Sequence, residues 1–226
     1  MLKPPRDSAR LWLLIFIAFV VALMFWFFCQ EALAAEPENQ QDYPVTSPEE
    51  LAEGVTYLLD RDNAPTTDPR RAITQEIGQA NLAAAQSTST DPWLLTSMEF
   101  HESSFQLSAC GKKGERGLLQ VHGMALKHCQ KLGLDPIADT DQSALCGASW
   151  LVQMQVQCSV LVADWRACRD YLKKGNDRAH KGACNGALAA YLSGSCQASD
   201  IVAKRVSVRL RTRDKMLLEV KMPINQ

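Results

Sequence analysis

The stretch Asp91-Pro92-Trp93-Leu94-Leu95-Thr96-Ser97-Met98-Glu99-Phe100-His101-Glu102-Ser103-Ser104-Phe105 carries the pattern that decides the fold. Aspartate before proline sets an N-cap with proline at the first helical position, where its missing N–H costs nothing. Trp93, Leu94, Leu95 and Met98 then supply an apolar face at helical spacing. Glu102 therefore falls near the C-terminus of a helix that must bury itself, just before a loop punctuated by Gly111, Gly114 and Gly117.

Working outward, the same devices recur. Ser47-Pro48-Glu49-Glu50 joins an N-cap serine, a proline and an N3 glutamate into a capping box, which predicts a helix to about Leu59. Asp68-Pro69 repeats the start signal ahead of an alanine-rich helix over 70–85, closed by the Ser/Thr cluster 87–90. Beyond the glycine loop, helices are expected over 118–132, ending at Gly133, and over 140–161, 163–174, 185–192 and 198–217. No convincing period-two run appears, so the expected fold class is mainly α.

With 226 residues, 46% of them hydrophobic, the chain is long enough for one sizeable core and short for two. Its net charge of -1 provides no overall field for nucleic acid, which is not an expected partner. At the N-terminus Lys3, Arg6 and Arg10 precede the uncharged apolar run 11–28, nearly long enough to span a bilayer. The cations keep that end cytoplasmic and send the remainder across. Ala32-Leu33-Ala34 offers a signal-peptidase pattern, so cleaved signal peptide and retained anchor both stay open. The expected organisation is a targeting segment at 1–35, a polar tether at 36–46, a helical prelude at 47–90 and a catalytic domain at 91–226 with a basic C-terminal helix.

Export changes how the cysteines read. Cys110, Cys129, Cys146, Cys158, Cys168, Cys184 and Cys196 would all sit where disulfides persist, so six are expected to pair and one to stay free or bond another chain. A zinc site on His122, His128 and Cys129, or a Cys/His nucleophile pair, lacks any recognised spacing. No metal and no cofactor are expected.

Glu102 is one acid among 25 Asp and Glu residues, and most such groups are solvated. Its setting raises it above the rest. A carboxyl half-buried at the lip of a cleft is favoured by desolvation in the neutral form that a proton donor needs. On that ground an amide at this position is expected to leave stability unchanged or slightly improved.

The string Glu102-Ser103-Ser104-Phe105, followed by Ala109, Gly114, Arg116 and Gly117-Leu118-Leu119-Gln120, resembles the E-S-x-F…A-x-S-x-x-G-A-x-G-L-M-Q core of the soluble lytic transglycosylase family. Roughly seventy residues on, Ala189-Ala190-Tyr191-Leu192-Ser193-Gly194 resembles that family's A-A-Y-N-A-G motif. The likeness covers about half the chain, from Asp91 to Ser195. It implies a lysozyme-like catalytic domain in the periplasm, anchored at the inner membrane through residues 11–28 or secreted, that cuts the glycan strands of peptidoglycan. Its setting could be a bacterial cell, a phage or a secretion apparatus. Glu102 would be the single acid/base, with Ser103, Gln120, the backbone around Leu119 and Tyr191 at the sugar site. Such an enzyme closes a 1,6-anhydro ring on N-acetylmuramic acid and needs one carboxylate, whereas hydrolysis needs two.

The chain departs from the family pattern where Gly111 replaces serine and Leu192 replaces asparagine, and His122 stands in the region of a usual proline. Gln120, Tyr191 and Phe105 each have an ordinary structural role as well. Two rivals follow: a muramidase using Asp139 or Asp141 to position water, and a wall-binding assembly protein without turnover. The basic run Lys204, Arg205, Arg209, Arg211, Arg213 and Lys215 reads as a solvated helix face before it reads as a contact with anionic polymers.

Overall fold

A computed structural model of the chain describes residues 46–175 and 177–221. The expected targeting segment 1–35 and almost all of the tether lie outside the described residues. Those described form α1 (Pro48–Arg61), a 3-10 turn (Pro69–Ile73), α2 (Thr74–Thr88), α3 (Pro92–Ser103), α4 (Gly123–Lys131), α5 (Thr140–Cys158), α6 (Trp165–Asp170), α7 (Arg178–Lys181), a second 3-10 turn (Gly182–Cys184), α8 (Ala187–Ser193) and α9 (Asp200–Lys221). Among the described residues no strand forms, only isolated bridges that pair Arg116 with Cys110 and Val121. The architecture is mainly α, as expected. No helix among these residues is long and apolar enough to cross a membrane.

Two start signals act as read, whereas Asp68 caps the 3-10 turn and the alanine-rich helix α2 begins only at Thr74. Ser47 Oγ accepts the Glu50 N–H at 3.2 Å while Glu50 Oε2 accepts the Ser47 N–H at 3.0 Å, the reciprocal capping box of α1. Asp91 caps α3 by accepting the Trp93 N–H at 2.9 Å. Each such cap satisfies N–H groups that have no partner within the helix, worth about 1 kcal/mol.

Buried on nearly every side, α3 is the centre of the fold: Pro92 through Glu99 are all inaccessible. Trp93 packs with Leu51, Val55, Leu58, Leu59, Ile77 and Met216 in one apolar cluster. Leu94, Leu95 and Met98 belong to the other, with Leu151, Leu188, Val206 and Leu210. Helices α1 and α2, expected as a prelude, thus contribute directly to the core around α3.

A second expected helix also starts late. The reading placed it over 118–132, but α4 begins at Gly123. Gly117 has φ +75°, and a Cβ there would lie 2.2 Å from the Pro136 carbonyl oxygen, so only glycine fits. The next N–H, of Leu118, is taken by Ser143 Oγ at 2.8 Å. This turn lets adjacent apolar residues part: Leu118 enters the cluster of Trp93 and Leu119 enters the other. Leu119 also lies against bare backbone, since a Cβ on Gly147 in α5 would come within 2.1 Å of it.

Three disulfides form, Cys129–Cys146, Cys158–Cys196 and Cys168–Cys184, and Cys110 is a free, exposed thiol. They join α4 to α5, the end of α5 to the segment before α9, and α6 to the second 3-10 turn. Such bonds persist in an oxidising compartment. Bonded to Cys146, Cys129 cannot ligate zinc, and the zinc alternative built on it is removed.

Peptide mapping of non-reduced protein should show these three pairings with Cys110 alkylatable. Replacing Cys129 and Cys146 together by alanine should cost about 2–4 kcal/mol in urea unfolding. Equal stability of the variant and the parent would mean that this bridge does not constrain the chain.

Candidate active site

The end of α3 is shaped by strain that packing offsets. Ser104 and Phe105 have φ +50° and +62° in succession, a left-handed conformation that costs non-glycine residues on the order of 1–2 kcal/mol each. Phe105 is fully buried, which returns roughly 1.5–3 kcal/mol. Arg70, held by Asp68 at 2.6 Å, donates to the Ser104 carbonyl at 3.0 Å and fixes the turn. The chain therefore leaves the helix sharply after Ser103, and Glu102 stays at the edge of the core.

Glu102 is 12% exposed, and its environment differs from the apolar lip expected from sequence. The guanidinium of Arg209, on α9 and only 4% exposed, donates through Nη2 to Glu102 Oε1. Arg209 Nη1 also donates to the Arg205 carbonyl at 2.9 Å. Arg205 Nη2 stands 3.6 Å from the same carboxylate oxygen. At the other end of α3, Arg213 forms an ion pair with the buried carboxylate of Asp91 at 2.5 Å. Part of the basic run is therefore internal, not a solvated face. The stripe Val202, Val206, Arg209, Arg213, Met216, spaced by four and three, puts two arginines on the side of α9 that packs inward. That spacing was visible in the sequence.

A cleft of about 490 Å³ opens beside Glu102, and Gln120 and Tyr191 line it with Glu102. Gln120, at φ +47°, donates its amide nitrogen to the carbonyls of Ala109 at 3.1 Å and Gly117 at 2.8 Å. Tyr191 donates its hydroxyl to the Leu119 carbonyl at 2.8 Å, and burial, reinforced by the nearby Glu102 charge, holds the phenol well above its usual pKa. Leu119 itself is buried, and its carbonyl is committed to Tyr191. Ser103 is likewise occupied in finishing the helix, its hydroxyl donating to the Glu99 carbonyl at 3.2 Å. Of the five sequence-predicted residues, Glu102, Gln120 and Tyr191 meet at the cleft, while Ser103 and Leu119 support it from behind.

Other wall residues were not anticipated, among them Trp150 and Glu115; Arg205, read from sequence as part of the basic run, and His122, weighed there as a substrate contact, also line the wall and are exposed. At Gly111 a Cβ would meet the Glu115 side chain, 2.3 Å from Oε2, so a larger residue there requires that carboxylate to move. The Glu115 carboxylate lies where a side chain on residue 111 would begin, and it accepts the Lys113 N–H at 2.7 Å. Asp139 caps α5 through the Gln142 N–H at 2.7 Å, and neither it nor Asp141 reaches the cleft.

Glu99, one turn before Glu102, is completely buried and was missed because an acid amid apolar residues has no signature of its own. Asn81 donates to its Oε2 at 2.7 Å, while Oε1 finds no partner among the described residues. Desolvation, only partly countered by that amide, raises its pKa to about 8, so it is a neutral acid at pH 7. His101 is held neutral for the corresponding reason, its pKa lowered to about 4 by burial and by Arg209 and Arg61.

No protein-family model matches the chain, and comparison with curated proteins finds no significant relative.

Two stability predictions follow from these charges. Glu102→Gln removes the counter-charge of a buried guanidinium and should cost about 2–3 kcal/mol, reversing the expectation drawn from sequence. Adding Arg209→Met should recover part of that loss, measured by urea unfolding of both variants. For Glu99, a folded pKa of about 8 against an ordinary 4.5 means its contribution is complete below pH 4.5 and lost as pH rises toward 8. Glu99→Gln should match the parent near pH 4 and exceed it near pH 8 by on the order of a few kcal/mol. A parallel pair of stability curves across that window would place the Glu99 proton elsewhere.

Proposed function

We propose that this protein is a peptidoglycan lytic transglycosylase with a lysozyme-like catalytic domain, acting in the periplasm on the bond between N-acetylmuramic acid and N-acetylglucosamine. What carries the reading is convergence. Glu102 and Gln120 belong to one motif and Tyr191 to another roughly seventy residues away, and all three line a single cleft.

In this mechanism Glu102 takes up a proton from solvent on Oε2 while Oε1 keeps its bond to Arg209, and it delivers that proton to the glycosidic oxygen as the bond to C1 breaks. The oxygen of the sugar's own 6-hydroxyl bonds to C1, and its proton returns to the Glu102 carboxylate. No water enters the balance. Because the nucleophile belongs to the same sugar, its effective concentration is high, on the order of 10⁵ M or more in well-oriented intramolecular reactions. Arg209 occupies Oε1, which leaves Oε2 to face the scissile bond. Tyr191, fastened to the Leu119 carbonyl, keeps the two sides of the cleft in register.

The hydrolytic reading loses Asp139 and Asp141, which stand away from the cleft. Glu115 takes their place as its candidate, being the other carboxylate on the wall.

Digestion of purified sacculi by the full-length chain, followed by mass analysis of the muropeptides, should show 1,6-anhydro ends, and Glu102→Gln should lower their yield at least about a hundredfold, as loss of a general acid does. Reducing ends, each heavier by one water and abolished by Glu115→Gln, would instead establish a muramidase. Sedimentation with sacculi but no cleavage would make the protein a wall-binding factor.

A further inference from the structure

The two arginines that face Glu102 are not equivalent. Arg209 is enclosed, with its guanidinium divided between Glu102 and a helix carbonyl, so its charge is spent inside the protein. Arg205, one turn earlier on α9, is 43% exposed and lines the cleft. Among the described residues the acid within its reach is Glu102, at 3.6 Å, through the same oxygen that Arg209 already holds. One carboxylate thus faces two guanidiniums, and the excess positive charge sits on the one that a ligand can touch. Lys113 adds a second cation to the wall, against Glu115. Nearby, the side chain of Leu192 offers no hydrogen bond, and the hydroxyls of Tyr191 and Ser193 donate to the Leu119 and Ala189 carbonyls, so Arg205 is the cation on this side of the cleft.

A guanidinium presents donors in a planar fork that matches a carboxylate and is weakly hydrated, so it gives up water readily for such a partner. We propose that Arg205 is a specificity residue that binds a carboxylate carried by the substrate sugar next to the scissile bond. The inference rests on the transglycosylase reading and deepens it: the preferred substrate is a glycan whose muramic acid bears a free lactyl carboxylate, as in strands stripped of peptide. A carboxylate on the stem peptide has the same chemistry from a different source, and the ligand series separates the two.

Binding is measured by calorimetry on the full-length chain with three tetrasaccharides of alternating N-acetylglucosamine and N-acetylmuramic acid. One has free lactyl acids, one has them as neutral methylamides, and one carries them amidated to a short peptide with its own carboxylate. The free acid should bind about tenfold more tightly than the methylamide, as one charge-assisted contact allows. Arg205→Gln should bring that ratio to within about twofold of unity, Arg205→Lys should keep part of it, and raising salt should shrink it. Lys204→Gln removes an equal charge from an exposed neighbour that does not line the cleft, and it should leave the ratio as it was. Equal binding of acid and methylamide by the parent overturns the inference while the sugar reading stands, and so does a ratio that survives in folded Arg205→Gln. Preference for the peptide form alone would move the recognised carboxylate to the stem and overturn the lactyl assignment. Failure of all three to bind would overturn this inference together with the proposed function.

Discussion

Burying α3 is possible only because α9 brings cations to both of its ends. The helix is inaccessible over most of its length yet begins with Asp91 and finishes with Glu102. A carboxylate withdrawn from water without a partner costs several kcal/mol, a large fraction of a domain's net stability. Arg213 answers the first and Arg209 the second, and between them Ser97 donates its hydroxyl to the Arg209 carbonyl at 2.7 Å. The site is consequently part of the core's own charge balance. Glu102, at the edge of the cleft, thereby also ties the last helix to α3.

The same helix carries two carboxyl groups one turn apart in opposite surroundings. Glu99 faces an asparagine and apolar side chains and is neutral at pH 7; Glu102 faces guanidiniums and the cleft. Residues three apart on a helix lie on nearly the same face, so the difference comes from the packed neighbours, α2 on one side and α9 on the other.

The walls of the cleft come from segments distant in sequence, and a few close contacts join them. Leu119 lies against the bare backbone at Gly147, and its carbonyl takes the Tyr191 hydroxyl, tying the loop after α3 to α5 and α8. The Cys129–Cys146 and Cys158–Cys196 bonds hold α4 and the approach to α9 against the same α5. Bound to this frame, the loop can keep a strained residue such as Gln120 in place, which an exposed loop could not.

By itself the sequence determined most of the local elements and three of the residues that line the cleft. Serine or aspartate before proline marks helix starts through bonds made within three residues, as at Ser47 and Asp91; the disulfides were likewise readable from the number of cysteines beyond an expected targeting segment. Glu102, Gln120 and Tyr191 were legible because two spaced motifs name them. Tertiary structure alone decided what surrounds them. Whether Glu102 would meet an apolar wall or a guanidinium depended on how α9 packs more than a hundred residues later, a contact no local pattern encodes. The turn at 117–122 displaced an expected helix because Leu118 and Leu119 had to enter different apolar clusters. Arg205 and Arg209, alike in the basic run, were separated into an open cation and an enclosed one by burial, which is a property of the packed chain.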